Sequence, residues 1–387
     1  MIIRAYRKFE MRIGFDISSQ SLPRSGVGQY QISLLRSLLR VDSENFYHLY
    51  AFNFRNRRRF EKIQFPTENY DVKVSAIPQR LMTMWWLFFN RPSLEKVVGE
   101  CDLYHVSELC IQPVKKAKTV AFVHDLTTIL YPEYHTASNV FLHRERFKRL
   151  NRVDGVLTNS QATKRDIVNH LKIHPDKVFV THLGAGPRFK PLEPSFRQPI
   201  LDIYGLKKPY ILFVGTLEPR KNVETLIRAF NELKEKYWIP HQLVLVGRKG
   251  WLYQTIFKAI ESSPNKTDIL HLDYVPDEDV PALMSGAEVF AYPSFYEGFG
   301  LPVLEAMQCG CPVITSNVSS LPEVGGEACL YVHPESADEL AEAINNVIKD
   351  KSYQSVLAGK GMERARLFSW EKCAEETLEA YEQVMGK

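Results

Sequence analysis

The sequence predicts an α/β protein of two doubly wound domains facing each other across a cleft. Three observations carry this prediction. Short apolar, β-rich runs alternate with helical stretches along almost the whole chain. The alternation breaks once, at 190–209, where Pro191, Pro194, Pro199 and Pro209 fall among polar residues; proline at that density reads as a linker and hinge. The alternation then starts afresh. Continuous apolar strands separated by helices call for parallel sheets covered on both faces. At roughly 150 residues per domain, a chain of 387 residues has room for two.

In the first half, Arg12–Ile17 reads as a strand, followed by Gly26-Val27-Gly28 and a helix from about Tyr30 to Leu39. Leu103–Val106, Thr119–Phe122, Gly155–Thr158 and Val178–Thr181 read as further buried strands. In the second half the strands are Tyr210–Val214, Gln242–Val246, Ile269–Leu272, Val289–Tyr292 and Val313–Thr315, with helices at Val223–Lys236 and Leu301–Met307. The domains are therefore expected at 1–195 and 196–368. An amphipathic helix in 369–387 is expected to pack back on the first domain. Residues 1–10 are basic, lack the apolar stretch of a secretory signal, and are expected to be a loose leader.

Composition narrows the class. Apolar residues make up 45% and charged residues 24%, a globular balance that excludes a disordered chain, a collagen and a coiled coil. No apolar run approaches the ~20 residues that span a bilayer. Six cysteines are scattered, and only Cys309 and Cys311 lie close, without a second pair or a His at zinc spacing. They read as reduced, which places the protein in the cytoplasm. Charge is uneven: residues 1–200 carry 31 basic and 18 acidic residues, and the remainder 18 and 27. A basic half joined to an acidic half suggests that one half faces something anionic. The densest clusters are Arg55–Arg59 and Arg144–Arg149. No recognition motif supports nucleic acid as the partner, and the acidic second half argues against it. Gly26-Val27-Gly28 lacks the third glycine of a dinucleotide fingerprint.

In open parallel sheets ligands sit at the C-terminal edge, so chemistry is expected in the loops after strands. After Tyr210–Val214 comes Gly215, which permits close backbone approach, and then Arg220 and Lys221 just before a helix N-terminus. Free amides and the dipole there already favour an anion, and two cations suit a dianion such as diphosphate. After Val289–Tyr292 comes Glu297-Gly298-Phe299-Gly300-Leu301-Pro302, with Glu305 eight positions beyond Glu297. The two glycines let amides point into a pocket, and Pro302 fits a first helical position. Carboxylates accept the hydroxyls of a sugar or ribose, and amides suit phosphate oxygens. His124 ends a strand at the sheet edge. Asp125 beside it is as well placed to cap the next segment as to serve a site. Asp277-Glu278-Asp279 has the spacing used by metal-dependent transferases but reads as a helix cap. No other acidic cluster offers oxygen ligands, so no metal or cofactor is expected.

These motifs resemble, in order and spacing, those of the retaining GT-B glycosyltransferases of family 4. The match lies in the Glu297 to Glu305 run, Gly215 through Arg220-Lys221-Asn222, His124-Asp125, Gly26-Val27-Gly28 and the 311–322 run CPVITSNVSSLP. Within that family the chain is most similar to bacterial polysaccharide mannosyltransferases. The resemblance implies a GT-B fold of two Rossmann-like domains and transfer of a hexose from a nucleotide-diphosphate sugar. GDP-mannose is the expected donor, with UDP-glucose and UDP-N-acetylglucosamine as alternatives. It implies that Arg220 and Lys221 neutralise the diphosphate and that Glu305 holds the ribose. Glu297, with the amides of Phe299 and Gly300 and the turn from Gly298 to Leu301, would hold the sugar. His124 would lie near the reacting carbon, and Tyr274 and Val275 near the base. Gly26 and Gly28 would let the first domain approach the donor. A nucleotide-sugar epimerase of similar architecture is the competing enzyme reading.

The first domain is expected to hold the acceptor. Leu81–Phe89, with its two tryptophans beside basic runs, reads either as a helix that dips into an anionic membrane interface or as a core helix under a loop. The first reading favours a saccharide acceptor linked to a lipid diphosphate.

Overall fold

A computed structural model describes residues 10–18, 26–52, 64–106 and 111–386. All but the last residue of the expected leader, the Arg55–Arg59 cluster and Cys110 lie outside the described residues. Strands β1 (Arg12–Asp16), β2 (Phe46–Phe52), β3 (Tyr70–Ser75), β4 (Leu103–Val106), β5 (Lys118–Val123), β6 (Gly155–Thr158) and β7 (Val178–Val180) form one parallel sheet in the order 3-2-1-4-5-6-7. Strands β8 (Tyr210–Val214), β9 (Gln242–Val246), β10 (Ile269–Leu272), β11 (Val289–Tyr292), β12 (Val313–Ser316) and β13 (Cys329–Val332) form a second, in the order 10-9-8-11-12-13.

Most of the strands that sequence reading finds lie inside the sheets, and β7 and β10, also found, are edges. β4, β6, β11 and β12 are buried along their whole length. Three strands were not expected. β3 is a partly exposed sheet edge whose apolar residues are diluted by polar ones; β13 is an edge of four apolar residues, too short a run to be told from a helix segment by periodicity. β2 carries His48 among four aromatic residues instead of an aliphatic run.

Strand order reverses between β1 and β4, where Ile13 lies opposite Leu103, and between β8 and β11, where Ile211 lies opposite Val289. Such switch points open crevices at the strand C-termini, and the loops after β5, β6, β8, β11 and β12 meet there. The helix after β1 is described over Gly26–Val41, so it already includes the residues before Tyr30. Gly26 and Gly28 therefore lie within the helix as described and are not loop residues.

The proline-dense stretch also differs from expectation. Pro194–Ile203 is a helix, with Pro194 at its start, where a missing N–H is tolerated. Arg197 donates to the Ser285 carbonyl at 2.7 Å and Leu201 is buried, so this helix belongs to the second domain. The helix Trp370–Met385 crosses to the first domain and packs along Gly26–Val41. Arg40 and Glu371 pair at 2.8 Å, and Tyr381 is wholly buried.

Candidate functional site

The second domain builds an ion network at the ends of β8 and β11. Arg220 and Lys221 occupy a single 3₁₀ turn, Pro219–Lys221, which ends at Asn222 in the left-handed conformation (φ 56°). The Asn222 amide stabilises that turn by donating to the carbonyls of Pro293 at 2.9 Å and Pro334 at 2.6 Å. The Phe295 amide donates to the Arg220 carbonyl at 2.9 Å, which ties the two loops together. Arg220 NH1 lies 2.8 Å from Glu297 Oε2, Lys221 Nζ 2.7 Å from Glu297 Oε1, and Arg220 NH2 2.6 Å from Glu218 Oε1. Lys221 also donates to the Tyr292 hydroxyl.

Burial sets the electrostatics. Burial alone would raise the Glu297 carboxyl, but the Arg220 and Lys221 charges together outweigh it and hold it at about 2. Burial and repulsion from Arg220 push the Lys221 ammonium down, against the pull of Glu297. Burial raises the Glu218 carboxyl despite Arg220. Arg220 Nε and Glu218 Oε2 are buried and make no hydrogen bond, so the network has unused donor and acceptor capacity.

The Glu297 loop is fixed at its backbone. The Glu297 amide donates to Ser319 Oγ at 2.9 Å and Ser320 Oγ donates to the Glu297 carbonyl at 2.8 Å. Gly300 stands at φ 100°, a conformation open to glycine, and starts the helix Leu301–Gln308 with Pro302 in its first turn. Ser319 and Ser320 were not singled out from the sequence. Their only signal was the 311–322 run.

The first domain supplies the facing wall. His124 follows β5 and packs edge-on to Tyr30 at 5.0 Å and against Phe122 at 4.6 Å. Burial pushes its imidazole down to about 4, so it is neutral at ordinary pH. Asp125 accepts the Thr127 amide at 2.9 Å, a local turn. Burial would raise its carboxyl, but the Arg220 charge, with the Thr127 bonds, holds it low. Asp125 thus serves the turn and also faces the ion network across the cleft. Gly298 lies directly against this wall: a Cβ on it would sit 2.0 Å from the His124 carbonyl oxygen.

Other expected residues stand further out. The charged neighbours of Glu305 are Arg188 and Asp277, not Arg220 or Lys221. Burial raises its carboxyl to about 8. Gly215 touches Gly247, where a Cβ would meet the Gly215 carbonyl at 1.9 Å. Tyr274 is half exposed with the Arg248 guanidinium 4.5 Å above its ring, a stacking pair the sequence did not reveal. Val275 is buried in the core, so only its backbone can face a ligand. Phe299 is likewise a core side chain, packed against Phe368. Asp279 accepts from the Tyr204 hydroxyl at 2.6 Å and caps nothing with its side chain. Among the described residues no group of three or more His, Cys, Asp or Glu could hold a metal ion.

Two Rossmann-like lobes with a cation pair and glycine-opened amides at their facing strand ends have the architecture of a GT-B glycosyltransferase, and solved structures agree. Sucrose-phosphate synthase from Thermosynechococcus elongatus superposes with a TM-score of 0.75 at 20% identity, over 97% of this chain and 100% of that one. HepE from Anabaena, solved with UDP-glucose, gives 0.70 at 19%, over 97% and 100%. Residues 24–187 match the model of Glycosyltransferase Family 4 and residues 201–364 that of Glycosyl transferases group 1. The O-antigen chain mannosyltransferase B of Escherichia coli is 31% identical over 379 residues, 96% of this chain and 99% of that protein. The chain belongs to this family of glycosyltransferases.

Proposed function

We propose that this protein is a retaining, metal-independent hexosyltransferase that moves mannose from GDP-mannose to a saccharide acceptor in cell-surface polysaccharide synthesis. The observation that carries the reading is the Arg220–Lys221–Glu297 network, buried where the Gly298–Gly300 turn and His124 meet. Transfer builds negative charge on the leaving diphosphate and positive charge on the sugar ring. Preorganised positive charge on the phosphate side is the largest available stabilisation, and Arg220, Lys221 and the amides after Gly298 supply it. Glu297, held ionised, faces the sugar and offsets its developing charge. In a retaining reaction the acceptor enters on the face the diphosphate leaves, so a phosphate oxygen can take the acceptor's proton. His124, neutral, offers a hydrogen bond near the reacting carbon. Glu305 is the ribose ligand, and Tyr274 with Arg248 borders the base. The 31% likeness to an O-antigen mannosyltransferase supports the choice of mannose, and the UDP-glucose bound by HepE names the main alternative donor.

The acceptor is proposed to be lipid-linked. Among the described residues no helix is long and apolar enough to cross a membrane. The helix Gln79–Phe89 instead exposes Leu81, Met84, Trp85, Phe88 and Phe89 around an apolar groove of about 570 Å³. Arg149 and Arg152 reach its C-terminal end. An apolar face rimmed by cations suits an anionic bilayer interface.

A thermal-shift panel of GDP, UDP, ADP and their sugars, followed by product analysis with the stabilising donor, tests the enzyme reading. Ligand binding raises Tm by mass action. GDP-mannose is expected to give the largest shift and a product of unchanged anomeric configuration. Flotation with anionic vesicles at low salt tests the membrane face: failure to float removes it.

A further inference from the structure

The N-terminus of the helix Gln161–Leu171, in the first domain, sends two of its amides and two hydroxyls to the second. Ser160 Oγ donates to the Gly298 carbonyl at 2.6 Å and Thr163 Oγ1 to the same oxygen at 3.1 Å. All three residues are buried. The next two amides, Gln161 and Ala162, donate to the Glu323 carboxylate at 2.8 and 3.1 Å. Glu323 also accepts from His182 Nε2 at 3.1 Å, and Glu376 takes the His182 backbone N–H at 2.6 Å. Donors left over at a helix start ordinarily go to water or to local caps. Here they cross between domains, and two hydroxyls converge on one peptide oxygen inside the loop that carries Glu297.

We propose that Ser160 and Thr163 are positioning residues for sugar transfer: they fix the Gly298 peptide, so the Glu297–Gly300 loop takes its working shape only while the domains are closed. The inference rests on the reading that this loop holds the donor sugar. Glu297 itself is tied through its backbone to Ser319 and Ser320 on the second domain. Gly298 is the next residue and takes its restraint from the first domain. The loop is therefore held from both sides, and the restraint from the Ser160 side exists only at the distance of closure. Glu323 holds the same helix end in place and so sets that distance. The device links donor engagement to closure through the Gly298 peptide, separately from the contact proposed for His124.

A structural role and a positioning role separate experimentally. Ser160 also caps its own helix, accepting the Thr163 amide at 3.0 Å. Ser160→Asp keeps a capping acceptor but presents an anion to the Gly298 carbonyl. Thr163→Val removes only the second hydroxyl, and Thr163→Ser restores it. With the full chain and the donor found above, Thr163→Val is expected to lower kcat about tenfold, a typical loss for one buried hydrogen bond acting in the transition state. Thr163→Ser should recover most of that loss. Ser160→Asp should lower kcat about a hundredfold and, because it buries an anion against a carbonyl, should also lower Tm, whereas Thr163→Val should keep Tm within a few degrees of wild type. The dissociation constant of the nucleoside diphosphate should change less than about threefold in all three, because the cations that bind it are untouched. Wild-type kcat in both Thr163→Val and Ser160→Asp overturns the inference and leaves the enzyme reading standing. A wild-type protein that binds no nucleoside diphosphate overturns the reading and the inference with it.

Discussion

Lys221 Nζ lies 2.7 Å from Glu297 Oε1, so the carboxylate assigned to the sugar is also the counter-charge of a cation assigned to the diphosphate. Arg220 holds the other carboxylate oxygen at 2.8 Å. The Lys221 and Glu297 side chains are 10% and 8% exposed, too little for water to replace either partner. On the proposed reading, a di-anionic donor entering this network would exchange one counter-charge for another, freeing Glu297 for hydroxyls while both cations stay neutralised.

The sequence alone suggests that Lys221 can be replaced without harm to the fold. Its burial against Glu297 changes that expectation. Lys221→Met is expected to abolish transfer and also to lower stability by about 3 kcal/mol, because one partner of a buried pair is removed. Urea unfolding measures the second effect and a donor-consumption assay the first. A variant that transfers at the wild-type rate contradicts the diphosphate assignment.

His124 is held neutral, its imidazole pushed down to about 4 by burial. Its contribution should therefore not vary across the neutral range. His124→Ala is expected to lower kcat by about two orders of magnitude at every pH from about 6 to 8. If the wild-type kcat profile shows an inflection in that range which disappears in the variant, His124 titrates during turnover and the neutral assignment fails.

Much of the site was legible in the sequence because its chemistry is concentrated in short loops. Arg220, Lys221 and Glu297 each follow a buried strand closely, and a strand fixes where its loop begins. What escaped were residues whose role arises only from the meeting of the two domains. Ser160 and Thr163 carried no signal in the sequence, and Asp125, open there between a cap and a site residue, meets the Arg220 charge only when the second domain is brought against it. Within the second domain Glu218 was not singled out either, yet it is the second acidic partner of Arg220. The β2, β3 and β13 strands escaped for simpler reasons: aromatic composition in β2, polar dilution in β3 and shortness in β13 hid their periodicity. The Pro194–Ile203 helix escaped because Pro194 in its first turn and Pro199 in its interior read together as a linker.

Glu305 offers a test by pH. Burial raises its carboxyl from 4.5 to about 8. The native state therefore holds a proton that the unfolded state releases, and stability falls as pH rises from 4.5 through about 8. Glu305→Gln removes this dependence. Above pH ~8 the variant should melt higher than wild type by calorimetry, while its affinity for a nucleoside diphosphate falls about tenfold through loss of the ribose contact. A variant that melts lower at every pH would show that Glu305 is ionised and paired in the native state.

His182 gives the opposite sign. Hydrogen bonds to Glu323 and Glu376 raise its imidazole from 6.5 to about 9. A raised cationic group adds stability that is complete below 6.5 and lost as pH rises through about 9. Because Glu323 also receives the amides of Gln161 and Ala162, this loss should loosen the domain contact before either domain unfolds. Small-angle scattering should show the radius of gyration rising between pH ~7 and ~10. In His182→Gln the rise should be absent, and the variant should be equally open throughout.

Gly298→Ala places a methyl group 2.0 Å from the His124 carbonyl oxygen and 3.0 Å from Asp125 Cβ. The carbonyl cannot yield freely, because Asn159 Nδ2 donates to it at 3.0 Å. The two domains must therefore separate, by about 1 Å or more to restore van der Waals contact. Arg220 and Lys221 belong wholly to the second domain, so nucleoside diphosphate affinity should stay within about threefold of wild type. Transfer needs both walls, and a misplacement of that size is enough to lower kcat about a hundredfold. Gly186→Ala is the matched control, since its Cβ meets nothing nearer than 3.8 Å. Should Gly298→Ala retain wild-type kcat, the His124 wall takes no part in the reaction, and the second domain alone carries the chemistry.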